Sequence, residues 1–525
     1  MTNKKLNNKT KKITNNKKDK NVESKLWDTA DKLRGSVEPS EYKHIVLSLI
    51  FLKFISDFYE KKREELISDG KKKYIDIPEF YQKDNLFYVP EKCTWNYIIS
   101  NSKQPNIALI IDKALSNIEK KNSSLEGALP NNYFTQLELE TNKLSSLLDS
   151  INNNLQLPNN NMGDFIGRVY EYFLKKFSIK EGKKGEYYTP KSVVNLMTEL
   201  IEPYEGVVYD PCCGTGGMFV QSINFIEAHK GNRKKISIYG QEQTGTTHKL
   251  AKMNLALRGI SANLASKARD TFGQDQHKGL KADYIIANPP FNYSAWRGDN
   301  ELIDDDRWKG YPVPPVSNAN YAWILHIISK LKKNGSAAFL LANGALSAGA
   351  EEKQISKKLI ENDLIEAIIT LPRDMFYSTD ISVTLWIINK DRKNSTKIKN
   401  IRNRNNEILF LDLRRKGKEF EKYIELSSDE ITNIKNIYNN WKSNNSKKKY
   451  EDIGEYCYSA SIEEIKKNDY SLITSEYVKF INKDSNINYD KEMKVIQKDF
   501  KDLIKEEENI KNSLKEAFKK LGYEI

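Results

Sequence analysis

The chain has 525 residues, long enough for about three domains at the usual ~100–200 residues each. With 39% apolar residues and a mean hydropathy of −0.66 it can build globular cores but not an integral membrane protein. Its longest apolar run, 45–55, carries a lysine and falls short of the ~20 residues a span requires. The net charge of +13 suits a polyanionic partner, but it sits in a Lys-, Asn- and Ile-rich composition of the kind an AT-rich genome imposes, so it selects no function by itself.

Residues 1–21 open the chain as a basic tail. Eight lysines and one aspartate fall in the first 20 positions with no apolar core behind them, which predicts a disordered segment rather than a signal peptide. Residues 22–155 read as a helical domain, with Ile45, Leu49, Leu52, Ile55 and Phe58 at helical spacing. NNNLQLPNNN at 152–161 is polar and structure-breaking, and marks the boundary. DFIGRVYEYFLKKF then predicts an amphipathic helix, KEGKKGEYYTP a loop, and Lys191 the start of a further helix.

Over 156–420, short apolar runs alternate with helical segments: VVYD, ISIYGQE, ADYIIA, SAAFLLA, IEAIITL and VTLWII. That alternation predicts a doubly wound α/β sheet. Residues 301–320, rich in Asp, Pro and Asn, read as a surface loop. From 421 to 525 the chain is charged and helical, ending in a helix with Val495, Phe500, Leu503, Ile504 and Leu514 in a loose apolar stripe. A helix packed on its own domain and a partner-binding segment both fit that stripe. Cys93, Cys212, Cys213 and Cys457 lack metal-ligand spacing, and the adjacent Cys212–Cys213 pair is a poor disulfide candidate, so no metal site and a reducing cytoplasm are expected.

Two stretches carry chemistry. VVYDPCCGTGG at 207–217 is a strand, a tight glycine turn and the start of a helix, placed where doubly wound folds bind nucleotides. Gly214, Gly216 and Gly217 permit close backbone approach, and the absent Gly-Lys-Ser/Thr ending excludes a triphosphate loop. Glu242 closes the next run, where a carboxylate is the usual partner of ribose hydroxyls. Together they point to an adenosine-containing cofactor. The second stretch, ADYIIANPPF at 282–291, ends a strand on residues no sheet continues through. The prolines fix the backbone and donate no N–H. The Asn288 amide oxygen and the Pro289 carbonyl can then both accept hydrogen bonds from one amino group, with Phe291 offering a flat face to a planar ring. Such an arrangement suits an amine conjugated into a ring, whose lone pair it frees toward an electrophile.

These residues resemble those of amino-directed S-adenosylmethionine methyltransferases: DPCCGTGG is similar to their cofactor motif and NPPF to their motif for exocyclic amines. The motif order resembles the gamma arrangement of adenine-N6 DNA methyltransferases, and GEYYTPKSVVNLM resembles the segment that closes over the cofactor's methionine end. LRGSVEPSEYKHIVLSLIFLKFISD, DPCCGTGGMF with LAKMNLALRGI, and EEIKKNDYSL resemble the methylation (M) subunit of type I restriction-modification systems across roughly residues 22–480. Cys212-Cys213 departs from the small Ala-type residues frequent there, and buried cysteine packs as an apolar residue. The resemblance implies a Rossmann-like catalytic domain between an N-terminal helical domain and a C-terminal helical extension. It implies S-adenosylmethionine held by Glu186, Tyr187, Tyr188, Thr189, Pro190 and Lys191 with Gly214, Thr215, Gly216 and Gly217, the turn being anchored by Asp210. Glu242 would hold the ribose, Asp270 the adenine ring, and Asn288, Pro289, Pro290 and Phe291 the target adenine. Implied partners are double-stranded DNA, a specificity (S) subunit at 421–525, a restriction (R) subunit and a second M subunit, with no membrane. Protein glutamine-N5 methyltransferases also end a strand on NPP and an aromatic, and a single-chain restriction-methylation enzyme shares the core, so both readings stay open here.

Overall fold

The computed structural model describes Ser24, Trp27 and residues 39–84, 86–155, 169–177, 189–347, 349–376, 381–393, 401–420, 423–444, 449–481 and 489–523. The expected basic tail at 1–21 lies outside them. The helical domain is built around α1 (Pro39–Ser68), whose proline takes the first helical position, where its missing N–H loses nothing. Every residue from Lys43 to Ser56 is buried. The stripe of Ile45, Leu49, Leu52 and Ile55 is therefore part of a helix enclosed on all sides, as in the centre of a larger core. Helices α2 (Ile107–Lys121) and α3 (Thr141–Asn154) turn Ile111, Leu115, Leu144 and Leu148 into that core. The stretch 169–177, α4, adds Val169, Tyr170 and Phe173 to it.

The catalytic domain begins with α5 (Lys191–Ile201), β1 (Gly206–Asp210), α6 (Gly217–Ala228), β2 (Ile236–Gly240), α7 (Gly245–Leu257) and β3 (Ala262–Asn263). It continues through β4 (Ala282–Ala287), α8 (Asn320–Lys330), β5 (Leu331–Ala342), α9 (Ala350–Glu361), β6 (Ile365–Thr370), β7 (Val383–Asn389) and β8 (Glu407–Asp412). After a small hairpin, β9 (Lys418–Phe420) and β10 (Tyr423–Glu425), come α10 (Ser428–Lys442), β11 (Cys457–Ser461) and α11 (Tyr489–Lys520). Leu250 and Met253 of α7 belong to the helical domain's apolar cluster, so the two domains share one core at that seam.

The main sheet runs β3-β2-β1-β4-β5-β7-β6-β8-β11. The five strands from β3 to β5 are parallel, as the alternation with helices predicts. β7 is antiparallel to both β5 and β6: no crossover helix, the usual means of returning a strand in parallel, stands in the described part of its link from β6. The C-terminal region departs from its all-helical expectation. β11 pairs antiparallel with β8, from Cys457 opposite Leu411 to Ser461 opposite Glu407, and so continues the sheet past residue 420. Its CYSAS sequence is too mixed to stand out as an apolar run. The expected surface loop at 301–320 lies mostly at the surface and is anchored at a few points. Trp308 is 2% exposed, Arg307 donates to the carbonyls of Thr271 and Phe272, and Asn320 and Asn292 bond each other reciprocally. No helix among the described residues is long and apolar enough to cross a membrane.

Because β4, β1 and β2 are adjacent and parallel, their carboxyl ends open side by side. That brings the glycine turn, Glu242 and NPPF to one edge of the sheet. Gly240, ending β2, has no room for a side chain: a Cβ there would lie 2.9 Å from the ring of Phe219.

Candidate active site

At that edge two cavities share a wall made by Leu174, Cys212, Gly214, Thr215 and Asn288. The larger, of ≈ 240 Å³, also takes in Glu242, Asp270, Pro290 and Trp323. The smaller, of ≈ 70 Å³, takes in Thr189, Lys191, Asp210 and Gly217. Most of the anticipated residues therefore converge. Glu186, Tyr187 and Tyr188 lie outside the described residues. Pro190 is buried at the N-cap of α5, which begins at Lys191.

The turn is held from three directions. Asp210 accepts from the Cys212 N–H at 3.0 Å, Glu242 Oε2 from the Gly214 N–H at 2.9 Å, and the Thr215 carbonyl from Asn254 Nδ2 at 2.7 Å. Glu242 Oε1 also accepts from the Thr244 N–H at 2.8 Å, so this carboxylate bridges the ends of β1 and β2. Gly216 is on neither cavity wall. It is required because its φ is +79°, in the left-handed region that side chains other than hydrogen rarely adopt. Burial pushes Asp210 up to about 7, against the lowering effect of its bonds with Cys212. The neighbouring Cys212 and Cys213 thiols are raised well above their usual range by burial and by Asp210 and Glu242, so both are neutral packing groups.

At the end of β4, Asn288 Nδ2 donates to Thr189 Oγ1 at 2.9 Å. That bond fixes the amide so that its oxygen is the free end, and Asn288 Oδ1 is buried without a hydrogen-bond partner among the described residues. Pro289 is buried and Pro290 exposed. Phe291 is half-buried and lines neither cavity; it packs against the apolar cluster that holds Val194 and Met218, with Phe376 edge-on to its ring at 5.9 Å and 83°. Asp270 is placed by Gln241, a fully buried amide whose Nε2 donates to the carbonyls of Arg269, Asp270 and Gln274.

Several site residues were missed from sequence, among them Lys43, Phe177, Trp323 and Gln241. Lys43 reaches the larger cavity from α1 of the helical domain, and Phe177 reaches it from α4. Neither carries a local signal, because each sits in a run that reads as core. Trp323 looks like another core aromatic of α8, yet it lines the cavity and its buried Nε1 has no hydrogen-bond partner among the described residues. Gln241 could have been noticed as a polar residue at the end of a buried strand.

A model of the N-6 DNA Methylase family matches residues 161–486, and one of the HsdM N-terminal domain matches 22–153. The chain is 35% identical over 522 residues to the type I restriction enzyme MjaIX methylase subunit of Methanocaldococcus jannaschii, covering 95% of this chain and 91% of that one. To the HindI methylase subunit of Haemophilus influenzae it is 38% identical over 433 residues, 80% of this chain and 94% of the other. The fold matches that of a type I restriction-modification methyltransferase subunit from Streptococcus thermophilus, with a TM-score of 0.71, 24% identity, and coverage of 88% of this chain and 100% of that one. The relatives named here span the helical domain and the catalytic domain together, which decides against the glutamine-directed and single-chain readings. The chain belongs to the N-6 DNA methylase family, as an adenine-N6 DNA methyltransferase of the type I restriction enzyme methylase subunits.

Proposed function

We propose that the two cavities hold S-adenosylmethionine, and that Asn288 and Pro289 present to it the amino group of an adenine turned out of double-stranded DNA. The observation that carries this reading is the buried, unpartnered Asn288 Oδ1 on the wall common to both cavities. A buried acceptor left unpaired is destabilising by ~1–3 kcal/mol, and an incoming N–H donor removes that penalty. The lining fits the cofactor on either side of this wall. Glu242 and Asp270 offer acceptors to ribose hydroxyls and an adenine amine, and the unpartnered Trp323 Nε1 offers a donor. The smaller cavity lies at the N-terminus of α6, which begins at Gly217.

S-adenosylmethionine, when bound, supplies an electrophilic methyl group. The chain's own contribution is orientation. Thr189 holds the Asn288 amide, Asn288 Oδ1 accepts one amine hydrogen, and the Pro289 carbonyl takes the other. The nitrogen lone pair, freed from conjugation, faces the shared wall. Phe376 sets the plane of Phe291, against which the adenine ring rests. No group of this chain is needed as a base, because the methylated amine loses its proton to solvent, so the rate advantage is that of proximity and alignment. Extracting the base from the helix costs roughly a few kcal/mol, which contacts along the DNA must supply.

Sequence recognition we assign to a specificity subunit seated on α11, within an assembly that also holds a restriction subunit and a second methylation subunit. The described side chains of α11 are exposed, including Phe500 at 63% and Ile510 at 61%.

The test is transfer of tritiated methyl groups to DNA carrying the specificity subunit's site. Asn288→Ala should retain cofactor affinity while transfer falls by at least the ~10-fold that ~1.4 kcal/mol of lost transition-state stabilisation implies. Wild-type transfer by that variant would overturn the assignment.

A further inference from the structure

One face of the connector helix α4 packs into the helical domain, through Val169, Tyr170 and Phe173. Glu171 does something else. It lines the smaller cavity, together with Lys191 and Gln221. Its Oε1 pairs with Arg258 Nη2 of α7 at 3.2 Å, with the Glu171 side chain 24% and the Arg258 side chain 12% exposed. Arg258 Nη1 also bonds Asn254, and Asn254 donates to the Thr215 carbonyl of the cofactor turn. Arg258 thus holds Glu171 in place. Glu171 Oε2 has no hydrogen bond among the described residues.

Among the described residues, the ionisable groups on this cavity's wall, the neutral thiols aside, are Glu171, Lys191 and Asp210. Asp210 is committed to the turn through the Cys212 N–H. What remains is one carboxylate and one ammonium on opposite chain segments, α4 and the start of α5. That is the complement of a ligand end that carries both an ammonium and a carboxylate. Glu171 already has Arg258 as a counterpart through Oε1, so it is the second oxygen, Oε2, that is left to take a donor from a ligand.

We propose that Glu171 receives the α-ammonium of the cofactor's amino-acid end while Lys191 faces its α-carboxylate, making the connector helix part of the cofactor site. The proposal rests on reading the cavities as an S-adenosylmethionine site, and it assigns the methionine end to the smaller one. Its consequence is selectivity: the site distinguishes nucleosides by their amino-acid end, through a residue outside the glycine turn.

The experiment is isothermal titration of the full chain without DNA, using S-adenosylmethionine, S-adenosylhomocysteine and 5′-methylthioadenosine, which lacks the amino-acid end. Glu171→Gln should weaken the first two by at least about tenfold, the loss of one charge-assisted hydrogen bond, and change methylthioadenosine by less than about twofold. Glu171→Asp, which keeps the charge but withdraws it, should fall between. For decarboxylated S-adenosylmethionine, the Glu171→Gln effect should persist and any Lys191→Met effect should vanish. If Glu171→Gln weakens all ligands equally, Glu171 merely supports Arg258 and the turn, and the proposal fails. It fails too if no affinity changes. A wild-type chain that binds none of these nucleosides overturns the cofactor reading itself, and this proposal with it.

Discussion

Asn288 and Thr189 lie about a hundred positions apart in sequence, yet one hydrogen bond decides which end of the amide faces the cavity. Thr189→Val keeps the shape and removes the acceptor, so the amide is free to turn. Single-turnover methyl transfer at saturating cofactor should drop by roughly tenfold, about 1.4 kcal/mol, and a rate equal to wild type would show that Thr189 does not orient Asn288. Asp210 gives a pH signature. Its folded pKa of about 7 exceeds the ordinary aspartate value of 3.8, so folding favours the protonated form. The associated stability is present in full below pH ~4 and is lost as pH rises toward 7, at up to ~1.4 kcal/mol per unit of displacement. Asp210→Asn cannot ionise. Its urea midpoint relative to wild type should climb between pH 4 and 7 and then level off, and a flat difference would contradict a buried neutral Asp210.

Elements show what a sequence reveals and what it hides. The strands that were legible are apolar runs buried on both faces, such as ADYIIA and IEAIITL, and the site residues at their ends came with them. β3 has two residues and β11 reads as CYSAS, too short or too polar to be separated from loop. Lys43 and Glu171 escaped for a different reason. Their role depends on which helices the fold lays against the glycine turn, and local pattern holds no information on that. The same limit applies to the ion pair joining β6 to the segment before β8. Arg404 Nε meets Glu366 Oε1 at 2.7 Å with both side chains sealed from water, at 1% and 0% exposure. Burial alone would raise the Glu366 carboxyl, but Arg404, Lys442 and Arg392 hold it below its usual range. Arg404→Met should lower unfolding free energy by ~3–5 kcal/mol, because a buried charge loses its partner. Adding Glu366→Gln should recover much of that loss. Denaturant melts of the single and double variants check this, and additive losses would mean that the two groups do not act as a pair.

At the scale of the whole molecule, chemistry and recognition are divided. The cavities, the NPPF edge and the helical domain form one packed body, whereas the described side chains of α11 all face solvent. Removing residues 489–525 should therefore leave cofactor affinity within about twofold of the full chain. It should abolish co-purification with the specificity subunit and, with it, site-directed methylation. Undiminished complex formation by the truncated chain would place the partner elsewhere. The sheet has a further consequence, in the order of synthesis. One margin, β3, is made by residue 263, but the other is β11, at Cys457–Ser461. While the ribosome adds the residues between β8 and β11, the Glu407–Asp412 strand has emerged with one backbone edge unpaired. At ~5–20 residues per second that interval lasts seconds. Open strand edges recruit other chains, so the nascent protein is most vulnerable to aggregation when its catalytic residues are already made, and the late strand β11 ends that exposure.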